Sequence, residues 1–171
     1  MASFAFLASW FDRLTMRPPC TESQMKRFFE RHVPHLPQRM FEIVADLGDY
    51  PRFIPNCKAM QVRPDPAAGD ANVVLANMTL FFGPITQSYT SRVTTDPVAL
   101  TIRAKAVDGP FAYLDSVWSF EPEGQGTRVK FEIDFKISNV FIAAVAEPAF
   151  AAKQEEIMRA FCEEADRRFG D

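Results

Sequence analysis

TRVKFEIDFKISNVFIAAVAEPAFAAKQEEIMRAFCEEADRRFG, residues Thr127 to Gly170, carries two hydrophobic periods back to back. In its first part Val129, Phe131, Ile133, Phe135 and Ile137 point one way while Lys130, Glu132, Asp134 and Lys136 point the other, the period of a half-buried strand. From Asn139 the composition turns helical, with Phe150, Ile157, Phe161, Ala165 and Phe169 forming a stripe. A strand with one apolar face, followed at once by a long helix with one apolar stripe, predicts a helix laid across a sheet. Pro148 removes a backbone donor, which predicts a kink or a split there.

Upstream, alternating segments recur between clusters of turn residues, the mark of a meandering antiparallel sheet. The spacing predicts strands near residues 58–64, 72–82, 85–95, 99–107, 111–122 and 127–137. Pro64 to Gly69, Gly83-Pro84, Asp96-Pro97, Gly109-Pro110 and Gly124 to Gly126 punctuate them. Earlier still, KRFFERHV reads as a strand stopped at Pro34. The stretch from Pro37 through Leu47 places Met40, Phe41, Val44 and Leu47 on one helical face. Gly48-Asp49 ends that helix, and Tyr50, Phe53 and Ile54 among prolines predict one compact helical turn.

At 171 residues the chain is long enough to bury a core without metals or disulfides. Its 17 Phe residues favour an aromatic interior, and a formal charge of -3 with mixed signs gives no footprint for tracking phosphates. Cys20, Cys57 and Cys162 are odd in number and far apart, and read as free thiols in a reducing compartment. No apolar run approaches the roughly 20 residues of a membrane-spanning helix.

Residues 1–24 read as an N-terminal extension ahead of a domain spanning 25–171. Phe4, Leu7, Ala8, Phe11 and Leu14 recur at helical spacing before Pro18-Pro19. No basic residue precedes them, so a secretory signal is set aside. An amphipathic segment on a membrane surface, a latch on the domain and a simple upstream extension stay open.

The element order predicts an α+β fold of helix-grip type, a curved antiparallel sheet of about seven strands wrapped around a long C-terminal helix. Such a sheet has more concave surface than one helix fills, so its Phe and Met side chains either fill the gap or wall a pocket.

Several motifs then occur in order. RHVPHLPQRMFEIVADLGDYPRFIPNC carries Val33, Pro34, Met40, Phe41, Val44, Asp46, Tyr50, Pro51, Phe53, Pro55 and Cys57. Tyr89 to Val93 follows, then Gly109, Pro110, Phe111, Leu114, Trp118 and Phe120, and last Ala160-Phe161. Over roughly residues 26–169 this pattern resembles the coenzyme-Q-binding proteins of the START-like, polyketide cyclase superfamily. The resemblance implies a protein that binds ubiquinone, or a similar isoprenoid lipid, in a hydrophobic cavity and supports respiratory electron transport. It implies no catalytic cofactor and no catalysed redox step. The expected location is cytoplasmic, peripheral on the inner face of the respiratory membrane, or on the mitochondrial matrix side in a eukaryote. The same family includes a ribosome-association toxin, which makes interference with ribosome assembly the first alternative. A cyclase or dehydrase activity is the second. The chain departs from the family pattern at Asn56, where Trp or Gly is usual, and at Ala112 and Ser119, where basic residues are common; both latter changes weaken any contact to RNA.

For the cavity wall, parity and motif match select Met78, Leu80, Phe82, Ile102, Leu114, Trp118, Phe131 and Phe135, with Phe53, Ile54, Phe141 and Val145 as lid and helix face. Tyr89 is the candidate polar group for the quinone ring. Phe53 and Ile54 between Pro51 and Pro55, or Phe4 to Leu14, would form a membrane-facing mouth. His32 and His35 lack further metal ligands at matched spacing and read as surface residues. Asp115 and Arg103 oppose the apolar parity and read as solvated, and Cys57 as a buried structural thiol. No nucleophile elbow and no phosphate-binding glycine loop occurs.

Overall fold

Proline placement opens the chain's first two elements in the computed structural model, which describes residues 24–170. Strand β1 (Gln24–Val33) ends where Pro34 can no longer donate to a ladder. Helix α1 (Pro37–Ala45) begins on Pro37, at a position whose N–H would have no helical partner anyway. It buries Met40, Phe41, Ile43 and Val44. A single 3-10 turn at Leu47–Asp49 leads into the short α2 (Tyr50–Phe53), and the buried Tyr50 hydroxyl donates to the Val44 carbonyl at 2.6 Å, tying α2 back to α1.

Six strands follow in succession: β2 (Cys57–Pro64), β3 (Val73–Phe82), β4 (Ile85–Asp96), β5 (Thr101–Asp108), β6 (Phe111–Glu123) and β7 (Gly126–Ile137). They form one antiparallel sheet in the order β1-β7-β6-β5-β4-β3-β2. Five of the pairings join sequence neighbours, and β1 closes on β7 from Gln24↔Lys136 to Val33↔Thr127. Register shifts at Cys57/Ala59, Thr90/Ser91 and Phe111/Tyr113 mark β-bulges, which bend strands and help the sheet curl.

Helix α3 (Val140–Phe169) lies in the curl. Asn139 caps it by accepting from the Phe141 and Ile142 amides at 2.9 and 3.3 Å. The helix runs through Pro148 as one element, so of the kink or split expected there the split does not occur. Ala144, whose carbonyl loses its donor to the proline, is exposed, as is Pro148; water can satisfy the freed oxygen at little cost. The two ends of α3 pack into separate clusters. Ala143 joins Leu114, Ile133, Phe135 and Ile137, while Met158, Ala160, Phe161 and Ala165 join Met40, Ile43, Val44, Phe120 and Val129. Between the two clusters the helix bridges the sheet.

One expectation needs correction. His32 is exposed, donating to the Glu123 carbonyl at 3.3 Å, but His35 is buried. Its ring Nε2 lies 2.7 Å from an Asp166 carboxylate oxygen, and its carbonyl accepts from the Thr127 hydroxyl at 2.5 Å. The linker between β1 and α1 is thus clamped to both α3 and β7, a role that its place beside prolines does not reveal. Arg103 is exposed and Asp115 pairs with Lys105 at 3.2 Å on the outer face, as parity predicts. Cys57 is buried, with its thiol pushed upward by desolvation; Cys162 is half-buried and likewise free. The amphipathic reading of residues 1–24, and Cys20 with it, lies outside the described residues apart from Gln24. Among the described residues, no helix is long and apolar enough to cross a membrane.

Candidate functional site

Small side chains at the centre of the sheet open a cavity of about 190 Å³ beneath α3. Pairing places Ala76 opposite Ser91, and Ser91 opposite Ala106, in one row across β3, β4 and β5. The next row sets Val93 against Ala104 and Ala104 against Ser116 across β4, β5 and β6. Five small residues in two neighbouring rows leave the concave face too shallow to reach the helix above. Large apolar residues ring this floor: Met60, Met78, Leu80, Ile102, Leu114, Trp118, Phe131 and Ile133 from the sheet, with Ile157, Met158 and Phe161 from α3.

The aromatic side of the wall is an interlocked set of rings. Trp118 stacks on Phe131 at 4.3 Å between ring centroids and meets Phe161 edge-on at 5.2 Å. Such pairs hold ring orientations as well as burying area. The loop Ile54, Pro55 and Asn56 forms part of the opposite wall. Asn56 has a φ of 64°, a left-handed conformation that Asn and Gly tolerate, and it exchanges hydrogen bonds with Phe81. That geometry accounts for Asn here, in place of the bulkier alternative.

Polar groups on the wall are few and mostly neutral. Tyr50 is committed to Val44. Tyr89 reaches only the Met78 sulfur, at 3.4 Å, a weak acceptor, and burial pushes its phenol up to about 12, so it stays protonated. Ser91 and Ser116 lie on the floor, and Lys153, ion-paired with Glu156 at 2.5 Å, stands at the helix side. The titratable lining groups are therefore two tyrosines and one lysine, and among the described residues no cluster of three or more His, Cys, Asp or Glu could hold a metal.

Of the residues selected from the sequence, Ile54, Met78, Leu80, Tyr89, Ile102, Leu114, Trp118 and Phe131 come together on the wall. Phe53 and Phe135 do not reach it. Phe53 packs edge-on behind it, 5.4 Å from Phe161, and Phe135 is buried against Phe111 at 5.9 Å in the neighbouring cluster. Phe141 and Val145 are 81% and 41% exposed, because the Asn139 cap sets a helix phase that turns Ile142, Ala143 and Ala146 to the sheet instead. Of Phe82 only the backbone is described, opposite Ile85 at the end of β3. Sequence reasoning missed Ala76, Ser91, Val93, Ser116 and Lys153, and with them the larger Met60, Ile133, Met158 and Phe161. The first four share strand parity with residues it did select; a search for large apolar side chains passes over the small ones that make the space.

Gly109 controls how Tyr89 sits. Its φ is 127°, and a Cβ there would overlap the Tyr89 Cβ and come within 2.9 Å of the Tyr89 Cα. Gly109→Ala is expected to destabilise the fold by about 2 kcal/mol and to displace the Tyr89–Phe111 ring pair, whose centroids lie 5.0 Å apart. Thermal unfolding and the ring chemical shifts of Tyr89 check this.

A curved antiparallel sheet gripping a long helix, with an apolar cavity between them, defines a START-like helix-grip domain. The family described as polyketide cyclase / dehydrase and lipid transport matches residues 33–162, and the chain belongs to it. The ribosome association toxin of Rickettsia prowazekii is 31% identical over 132 residues, covering 75% of this chain and 88% of the toxin. The mitochondrial coenzyme Q-binding protein of Schizosaccharomyces pombe is 30% identical over 138 residues, covering 79% and 83%. Among solved structures, an aromatase/cyclase from Streptomyces superimposes with a TM-score of 0.73 at 15% identity, covering 85% of this chain and 95% of that one, a likeness of fold alone.

Proposed function

We propose that this protein binds a polyprenyl quinone of the ubiquinone type and carries it for respiratory electron transfer, without itself catalysing a redox step. The observation that carries this reading is the cavity: mostly apolar and aromatic, with hydroxyls, the Asn56 amide and Lys153 as its polar groups and neither imidazole nor carboxylate among its described lining residues. A flat ring of low polarity suits such a wall, and each buried methylene of an attached chain contributes about 0.8 kcal/mol. The similarity to the coenzyme Q-binding protein of Schizosaccharomyces pombe supports the same ligand. At about 190 Å³ the cavity lies below the usual range for drug-sized ligands. It suits the ring and the beginning of its tail; a long tail then continues outside, in contact with a bilayer or with the protein surface. That arrangement would favour a peripheral position on the respiratory membrane.

The similarity to the Rickettsia toxin makes association with ribosomal particles the competing reading. Mass spectrometry of organic extracts from gently purified protein separates the two, read together with sedimentation against ribosomal subunits. Near-stoichiometric quinone and no cosedimentation support the carrier. Absence of quinone together with salt-sensitive cosedimentation would overturn it. Turnover of a polyketide-like substrate with a pH profile would overturn it in favour of a cyclase.

A further inference from the structure

Two serines on the cavity floor are polar where packing gives no reason for polarity. Ser91 and Ser116 are 5% and 7% exposed, and both line the cavity. Neither hydroxyl has a hydrogen-bond partner among the described residues, and both open onto the cavity rather than being sealed in the sheet. A buried hydroxyl without a partner costs free energy that a methyl group does not, and serine exceeds alanine by a single oxygen. Their neighbours in the same rows are alanines: Ala76 beside Ser91, and Ala104 beside Ser116. Alanine therefore satisfies the packing at this depth, and the two oxygens remain to be explained.

Their placement supplies the explanation. Ser91 pairs with Ala106 on β5 and Ser116 with Ala104 on the same strand, so the serines stand on either side of β5, offset by one pleat repeat. Two strand spacings and that offset put their Cα atoms roughly 12 Å apart, and the concave curl brings the hydroxyls closer than this. A para-quinone ring with a hydrogen bond of about 2.8 Å at each carbonyl oxygen has a span of that order.

Resting on the carrier reading above, we infer that Ser91 and Ser116 are the groups that fix the ligand's head ring, one at each oxygen-bearing edge, with the ring lying over Ala104. The aromatic and aliphatic wall then supplies affinity, and the two hydroxyls supply orientation and selectivity for a ring with oxygen on opposite edges. A seryl hydroxyl both donates and accepts, so it serves a quinone carbonyl and a quinol hydroxyl equally well. A site built this way holds the oxidised and reduced forms alike, as a carrier requires.

The test uses the full chain, Ser91→Ala, Ser116→Ala and the double variant, with two probes: a ubiquinone ring bearing a saturated ten-carbon tail, and dodecylbenzene, which lacks the ring oxygens. Each single variant should weaken the quinone about fivefold to tenfold and the double variant about thirtyfold or more, with dodecylbenzene affinity unchanged. Unliganded variants should melt close to the wild-type temperature, since each loses a hydroxyl that faces the cavity and holds no other side chain. Ser→Cys variants, similar in volume but weak donors, should behave as the alanine variants do. Wild-type binding of the quinone that the double variant retains in full would overturn this inference alone. Equal weakening of both probes would also overturn it, pointing to a disturbed cavity. Wild-type protein that binds dodecylbenzene but no quinone would overturn the carrier reading, and the inference with it.

Discussion

Ala104→Phe is expected to abolish quinone capture while leaving the fold in place. Ala104 stands in the middle of the floor, paired with Val93 on one side and Ser116 on the other, and its side chain faces open space. A phenyl ring projected from that position occupies the volume a ligand ring would take, so it fills a void rather than forcing apart packed atoms. Overpacking a tight core costs about 1–3 kcal/mol, and the void should bring the cost to the low end. Affinity, by contrast, should fall by about a hundredfold or more, because the ligand loses most of its enclosed surface. The paired measurement is quinone content after purification and the thermal unfolding midpoint. A variant that folds and still retains near-stoichiometric quinone would place the ligand elsewhere. Trp118→Ala makes a poorer probe. It removes the stacks with Phe131 and Phe161 and enlarges the cavity, so lost ligand could reflect a softened wall as easily as a lost contact.

The sheet was legible because its chemistry is local. Lys130, Glu132, Asp134 and Lys136 alternate with apolar neighbours, and Gly109-Pro110 and Gly124 sit where hairpins turn. Parity then predicts which side of each strand meets the helix, and six of the eight selected wall residues do line the cavity, among them Met78, Ile102 and Trp118. Parity fails to say how far along a strand the cavity extends. Phe131 lines it while Phe135, on the same face, is buried beside Ala143, because α3 descends onto the sheet there. Helix phase is equally hidden in the sequence. Nothing in the spacing of Phe141 and Val145 separates them from Ile142 and Ala146; the Asn139 cap and the contact of Ala143 with the sheet decide between them. His35 likewise reads as a surface residue, since its partner Asp166 lies 131 positions away in the chain.

Glu164→Ala should be the most destabilising single change on the helical side of the molecule. Glu164 is 3% exposed near the end of α3 and is gripped by three guanidinium groups: Arg52 at 2.5 Å, Arg167 at 2.5 Å and Arg168 at 2.6 Å. Arg52 also reaches Asp49, and Arg168 reaches both Asp46 and Asp49, so the network fastens α3 to the segment joining α1 and α2. Removing the central carboxylate leaves three cations converging on an empty, partly buried site, a loss of about 3–5 kcal/mol. The Arg167 hydrogen bond, opposed by burial and aided by Arg168 and Arg52, lowers the Glu164 carboxyl from 4.5 to about 2. A carboxyl depressed in the folded state stabilises fully above its unfolded value and loses that contribution as pH falls from about 4.5 toward about 2. With Arg52 and Arg167 about half exposed and so partly screened by solvent, that contribution is on the order of 2 kcal/mol. Glu164→Gln keeps the side chain's shape and removes its titration. The gap in stability between wild type and Glu164→Gln should therefore be widest near neutrality and narrow steadily in acid. A gap that stays constant across that range would show that the carboxylate's charge is not what holds the helix. The same network bears on the cavity, because α2 leads directly into Ile54, Pro55 and Asn56 on its wall. Glu164→Gln should accordingly speed ligand release at neutral pH even where the protein remains folded, whereas Ala104→Phe prevents the ligand from entering at all.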